Sequence, residues 1–270
     1  MFECGWGSSI RLEIYHHIQK SKNDSAKWLV LVNGLFADLN SYDEVVKNLG
    51  DEFHILRYDC RGQGKSFKPD GIYTLSKHVE DLESLIKDLC IQDLTILGLS
   101  NGGRIALEFA KRNRDLVLGV VACDTYDKPS ELLKLKLQSW LKAFETGGAT
   151  HRFDVATPWI WGESLLQKNP SLIAFYRERA GEMEAHAVKG LIEGAMEGDV
   201  SLEAIHCPVF LVVGREDVLT PPFLHEDMCN KARAQSKKIQ MRIVPGGHAS
   251  ILEYPLTVMN EILPFVRSLA

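Results

Sequence analysis

The stretch "TILGLSNGGRIALEFA", Thr95 to Ala110, joins two kinds of pattern with almost no spacer between them. An apolar run rich in β-formers, "LTILGL" (94–99), reads as a strand buried on both faces. "GGRIALEFAKRN" (102–113) reads as a helix. At the join, Gly98-Leu99-Ser100-Asn101-Gly102 fits G-x-S-x-G, a pattern with mechanical meaning only when a strand precedes it and a helix follows. A turn that sharp forces the serine into a strained backbone conformation and needs small neighbours, which Gly98 and Gly102 supply. The serine hydroxyl is then pushed out at the carboxyl edge of a sheet. The N–H of Asn101, at the positive end of the new helix, points the same way and is a candidate donor to a developing oxyanion.

A serine hydroxyl is a poor nucleophile until a base takes its proton, and the base needs an acid to orient it. In this strand–turn–helix setting the expected chain order is serine, acid, histidine. "VFLVVGREDVLTPP" supplies Asp217 just past a strand, 117 residues after Ser100, with adjacent Glu216 as the rival acid. "RIVPGGHASILEYP" supplies His248 past the last strand, 31 residues further on, with Gly246 and Gly247 to turn it inward. Both positions lie where open α/β sheets gather their ligands. The second oxyanion donor is expected from "NGLFADLNSY", where Gly34 permits close approach: the N–H of Leu35, or alternatively of Phe36. Asn33 is placed to stiffen that loop through its side chain.

Outward from these motifs, "IRLEIYHHI" (10–18), "KWLVLVN" (27–33), "FHILRYD" (53–59), "LVLGVVACD" (116–124), "PVFLVVG" (208–214) and "KIQMRIVP" (238–245) read as further strands. "LSKHVEDLESLIKDLC" (75–90) carries a helical apolar stripe. "SILEYPLTVMNEILPFVRSL" (250–269) reads as helix in pieces, with Pro255 and Pro264 as breaks or starts. Alternating strands and helices imply a largely parallel sheet covered on both faces. From about Tyr126 to Val200 the alternation stops and only helical segments are legible. That region is rich in large apolar side chains, which must build its own core and also contribute to an apolar pocket over the serine. Phe36, Trp140, Trp159 and Trp161 are the expected pocket residues.

Composition narrows the function classes. A net charge of −5 without a basic run argues against a nucleic-acid surface. No apolar run approaches membrane-spanning length. Six scattered cysteines without CxxC or zinc-ligand spacing predict reduced, mostly buried thiols and no metal site. "MFECGWGSSI" lacks the basic and apolar regions of a signal peptide, so a cytoplasmic location is expected. "GQGKS" (62–66) ends like a phosphate-binding loop, but Asp59 stands where that loop needs glycine, and "FKPDG" forbids the helix that must follow. Arg61 is expected to fix this segment structurally. Asp124, at another strand end, is expected to be a loop anchor rather than the acid.

Taken together, "LVNGLFAD", "YDCRGQGKS", "GLSNGG", "GREDVLTPP" and "GGHASILEYP" resemble the α/β-hydrolase superfamily in order and spacing. "TPWIWGESLL" and "IEGAMEGD" (192–199) resemble small cap-bearing esterases of the 3-oxoadipate enol-lactonase type. Two departures stand out: Asn33-Gly34 replaces the usual His-Gly, and Asn101 follows the nucleophile where a hydrophobic residue or Gln is commoner. The resemblance implies a mainly parallel, eight-stranded sheet. Residues 1–125 and 201–270 would form the core, and residues 126–200 a helical cap. It implies a cofactor-free serine hydrolase acting on a small carboxylic ester, lactone or thioester with an apolar portion. Ser100, Asp217 and His248 would be catalytic, with Leu35 and Asn101 as oxyanion donors. Relatives of this fold also include carbon–carbon bond hydrolases, perhydrolases and non-catalytic small-ligand receptors, and these stand as alternatives.

Overall fold

The computed structural model describes residues 13–181, 183–233 and 238–269. Seven strands form one sheet: β1 (His16–Gln19), β2 (Trp28–Val32), β3 (His54–Tyr58), β4 (Leu94–Leu99), β5 (Val117–Cys123), β6 (Val209–Gly214) and β7 (Ile239–Val244). Their spatial order is β1-β3-β2-β4-β5-β6-β7. β1 pairs antiparallel with β3, and every other neighbouring pair is parallel. The sheet thus has seven strands among the described residues, not the eight expected. The early strand read at residues 10–18 begins at His16, and its residues 10–12 lie outside the described residues.

The continuous apolar runs are explained by burial on both faces. Leu29 and Leu31 pack on one side of the sheet with α1 (Asp43–Leu49), α9 (Ser250–Glu253) and α10 (Pro255–Arg267). Val30 and Val32 pack on the other side with α2 (Leu75–Asp88), α3 (Asn101–Arg112) and α8 (Pro222–Arg233). Side chains alternate along a strand, so a strand covered twice has no polar face to show. Parallel register aligns the carboxyl ends: Val32 lies level with Tyr58 and Gly98, and Gly214 with Val244. The loops after β2, β4, β6 and β7 therefore leave the sheet at one edge.

Between β5 and β6 the chain forms α4 (Glu131–Ile160), α5 (Glu163–Lys168), α6 (Leu172–Ala180) and α7 (Ala185–Ala195). α4 is two helical limbs joined at Gly148, whose φ of 73° and ψ of −169° no helix accommodates. The second limb continues past the "TGG" at which the sequence pattern ends. Pro255 opens α10 as expected, but Pro264 does not break it. The helix runs on to Arg267, so here proline removes one N–H donor from the last turn without ending the helix. Among the described residues no helix is long and apolar enough to cross a membrane.

Candidate active site

Ser100 sits directly between β4 and α3 with φ 56° and ψ −119°, a conformation that costs a non-glycine residue about 1–3 kcal/mol. The turn is held on all sides. The Ser100 N–H donates to the Cys123 carbonyl at 2.8 Å, and the Ser100 carbonyl accepts from Thr125 Oγ1 at 2.7 Å and the Gly103 N–H at 2.9 Å. The flanking glycines are obligatory. A Cβ on Gly98 would lie 2.1 Å from the Gly102 carbonyl oxygen, and one on Gly102 would lie 2.2 Å from that of Val32.

The three side chains singled out from the sequence meet here. His248 Nε2 lies 2.7 Å from Ser100 Oγ, and His248 Nδ1 lies 3.0 Å from Asp217 Oδ2. Both His248 and Asp217 are buried. Asp217 is held by the N–H groups of Leu219 and Thr220, each at 2.8 Å, and by Thr220 Oγ1 at 2.8 Å. Burial by itself would raise its pKa. The charge and hydrogen bond of His248, with the Thr220 donors, outweigh burial and hold the carboxyl below its ordinary value. Glu216 turns away and accepts from the Ser164 N–H. Asp124 is fully buried, accepts from the Gly214 N–H, the Ser250 N–H and Ser250 Oγ, and so anchors the β6 and β7 loops. Burial, then the nearby Asp217 charge, pushes its pKa well up.

The loop after β2 presses against this turn. A Cβ on Gly34 would come within 3.2 Å of the Leu99 carbonyl oxygen and of Ser100 Cβ. Asn33 Nδ2 donates to the Tyr58 carbonyl at 3.1 Å, fixing the loop to β3. The Phe36 N–H is occupied by the Gln63 side chain, which leaves Leu35 as the donor without a partner among the described residues. Arg61 forms a two-pronged pair with Asp81 on α2, at 2.6 Å for each contact.

A cavity of about 570 Å³ opens above Ser100 and His248. Leu35, Phe36, Trp140 and Trp161 line it, together with Phe153, Ala156, Thr157 and Ile160. The last four recur at helical spacing and define the inner face of the second α4 limb. Trp159 falls off that face. It packs into the core of the α4–α7 helices, with the Lys136 ammonium 4.7 Å from its ring centre, and does not line the cavity as expected.

Four neighbours escaped the sequence reading. Thr220 Oγ1 lies 3.1 Å from His248 Nδ1 as well as on Asp217; the spacing Asp-x-x-Thr, typical of local side-chain turns, was the available signal. Lys136 donates to the Val218 carbonyl and so ties α4 to the Asp217 turn. Glu253 accepts from the N–H groups of Gly247 at 2.9 Å and Gly162 at 3.3 Å. Arg152 is buried on the cavity wall. These last three have no local signature, because the surroundings of each are built largely by residues far away in the chain.

The sheet order, the turn at Ser100 and the edge where the loops converge define the α/β-hydrolase class. Within it, the chain belongs to the family described as serine aminopeptidase, S33, which matches residues 23–253. Among curated proteins it is 23% identical to 3-oxoadipate enol-lactonase 2 of Acinetobacter baylyi over 84% of each chain. It is 26% identical to a protein of Pseudomonas syringae assigned as a carbamate hydrolase, RutD, over 94% of this chain and 99% of that one. Among solved structures, a thermophilic esterase from Thermogutta terrifontis superposes with a TM-score of 0.83 at 25% identity, covering 95% of this chain and 93% of the other.

Proposed function

We propose that this protein is a serine hydrolase that opens a small carboxylic ester, lactone or thioester through an acyl-enzyme on Ser100. The observation that carries the reading is the one imidazole shared between Ser100 Oγ at 2.7 Å and Asp217 Oδ2 at 3.0 Å. His248 Nε2 takes the Ser100 proton as Oγ attacks the acyl carbon. The oxyanion forms against the N–H groups of Leu35 and Asn101, donors worth several kcal/mol when aimed in advance. The imidazolium is stabilised by Asp217, itself kept ionised by Thr220 and two backbone N–H groups. As the tetrahedral species collapses, His248 gives the proton to the departing oxygen or sulfur. Water, deprotonated by the same imidazole, then releases the acid. The α4–α7 helices serve as a lid whose apolar inner face receives the substrate's apolar part. Relatives named as a lactonase, an esterase and a carbamate hydrolase support an acyl-transfer reaction. Buried thiols at Cys60, Cys123 and Cys229 favour the cytoplasm as the compartment.

A fluorophosphonate probe with peptide mapping tests this reading. Rapid labelling of Ser100, lost in Ser100→Ala, is the expected result. Slow labelling combined with tight binding of a small ligand would instead mark a receptor that has kept the pocket, and would overturn the catalytic reading. A panel of p-nitrophenyl esters, lactones and acyl thioesters separates the substrate classes.

A further inference from the structure

The loop after β2, which carries the Leu35 N–H, is clamped to the segment that ends β3 and follows it. Asn33 Nδ2 donates to the Tyr58 carbonyl at 3.1 Å, the Phe36 N–H donates to Gln63 Oε1, and the Leu39 N–H donates to Asp59 Oδ1 at 2.7 Å. Asp59 is tied back into its own segment, since its Oδ2 accepts from the Lys65 N–H at 2.7 Å. The middle clamp falls on the residue next to Leu35. Phe36 has φ 63°, in the left-handed region that a bulky side chain rarely enters. Such a conformation persists only where the surroundings impose it.

Gln63 is itself held in place. It is only 2% exposed, its N–H donates to the Cys60 carbonyl at 3.0 Å, and its carbonyl accepts from the Ser66 N–H at 3.2 Å. Gly62 and Gly64, at φ 79° and 48°, make the tight turn that delivers it. An N–H faces the side chain, so the amide oxygen and not the NH2 group points at Phe36. A carboxylate there would accept the same bond but set negative charge beside the developing oxyanion. In a trans peptide the N–H and the carbonyl point opposite ways, so fixing the Phe36 N–H fixes the whole plane between Leu35 and Phe36. The preceding plane, which bears the Leu35 N–H, is then held between this one and Gly34, whose backbone already presses on Ser100. Resting on the Ser100 reading, we propose that Gln63 is a positioning residue for the oxyanion site. By holding the Phe36 N–H it aims the Leu35 N–H, and its loss lowers turnover without weakening substrate binding.

The experiment measures kcat and KM for p-nitrophenyl butyrate, and Ki for a trifluoromethyl ketone of matching chain length, in wild type, Gln63→Leu and Gln63→Asn. Leu lacks an acceptor, and Asn keeps the amide one carbon short of Phe36. The ketone tests the oxyanion directly: Ser100 Oγ bonds to its carbonyl carbon, the Ser100 proton passes to His248, and the carbonyl electron pair becomes the oxyanion. In both variants kcat should fall by roughly 10- to 100-fold, the cost of an oxyanion donor displaced rather than deleted. KM should stay within about twofold, as for an interaction made only in the transition state. Ki for the ketone should rise in step with the fall in kcat. The acid limb of the kcat/KM profile should stay in place, because the triad keeps its partners. An unchanged kcat in folded Gln63→Leu, or a loss carried by KM, overturns the proposal. Circular dichroism verifies the fold of each variant. Should neither variant fold, amide hydrogen exchange of the wild type decides: a protected Phe36 N–H supports the clamp, and one exchanging like an open loop amide overturns it. Fluorophosphonate labelling of the wild type keeps the two readings apart. Without labelling the Ser100 reading fails; with it, an unaltered Gln63→Leu removes only the role of Gln63.

Discussion

At the scale of single residues, the strain at Ser100 is held by bonds from three directions. Its N–H and carbonyl are pinned by Cys123, Thr125 and Gly103, while Gly98 and Gly102 keep the turn clear. Gly98→Ala must push the α3 start outward, since its methyl would lie 2.1 Å from a carbonyl oxygen. It should lose about 1–3 kcal/mol in urea unfolding, and ester turnover should fall further than the stability loss explains, because Oγ moves relative to His248. Asp217→Asn keeps the shape but stabilises the wrong histidine tautomer. Its kcat should fall by about 10³–10⁴-fold, with fold retained by circular dichroism. Thr220→Val removes the hydroxyl that bridges Asp217 and His248. A loss of roughly tenfold in kcat/KM is expected from one bond to a charged group, and an unchanged kcat/KM would show that Thr220 only fills space.

At the scale of elements, the end of α4 and the turn bearing His248 are fastened to each other. The His248 N–H donates to the Ile160 carbonyl at 2.7 Å, and Glu253 at the end of α9 accepts from Gly162 on one side and Gly247 on the other. Burial, more than any neighbouring charge, raises the Glu253 carboxyl from an ordinary 4.5 to about 7. Between those two values the folded protein holds a proton that the unfolded chain has released. Stability from this group is therefore greatest below the window and declines as pH rises through it. The decline is on the order of 3 kcal/mol at most, from the energy equivalent of each pKa unit. Glu253→Gln should remove that slope, so urea midpoints of wild type and variant should diverge between pH 5 and pH 8, with the wild type falling. Parallel curves would disprove it.

For the whole molecule, the decisive contact is between the sheet-facing helix α3 and the end of α7. Arg104 is fully buried and donates to the carbonyls of Ala195 at 3.3 Å and Glu197 at 2.8 Å, and to that of Gly198. Its guanidinium carbon also lies 4.5 Å from the Tyr126 ring centre. Helix α3, which begins directly after Ser100, thus also holds the end of α7. Arg104→Met leaves the Glu197 and Gly198 carbonyls without this donor, while Tyr126 still donates to the Ala195 carbonyl at 2.9 Å, and should cost about 2–4 kcal/mol. Limited proteolysis should cut first within residues 126–200, and undisturbed proteolysis there would show that these helices are held elsewhere.

From its pattern alone, the chain specified the strands, their burial on both faces, and the turn at Ser100, because these depend on residues adjacent in sequence. It also placed an acid and a histidine at the strand ends that meet Ser100. Only the tertiary structure separated Asp217 from Glu216 and Leu35 from Phe36, and turned Trp159 away from the cavity while leaving Arg152 on its wall. Thr220, Lys136 and Glu253 joined the site in the same way. A one-dimensional pattern encodes which face of an element is apolar; it does not encode which distant group that face will meet. That is decided by register and packing across the sheet edge.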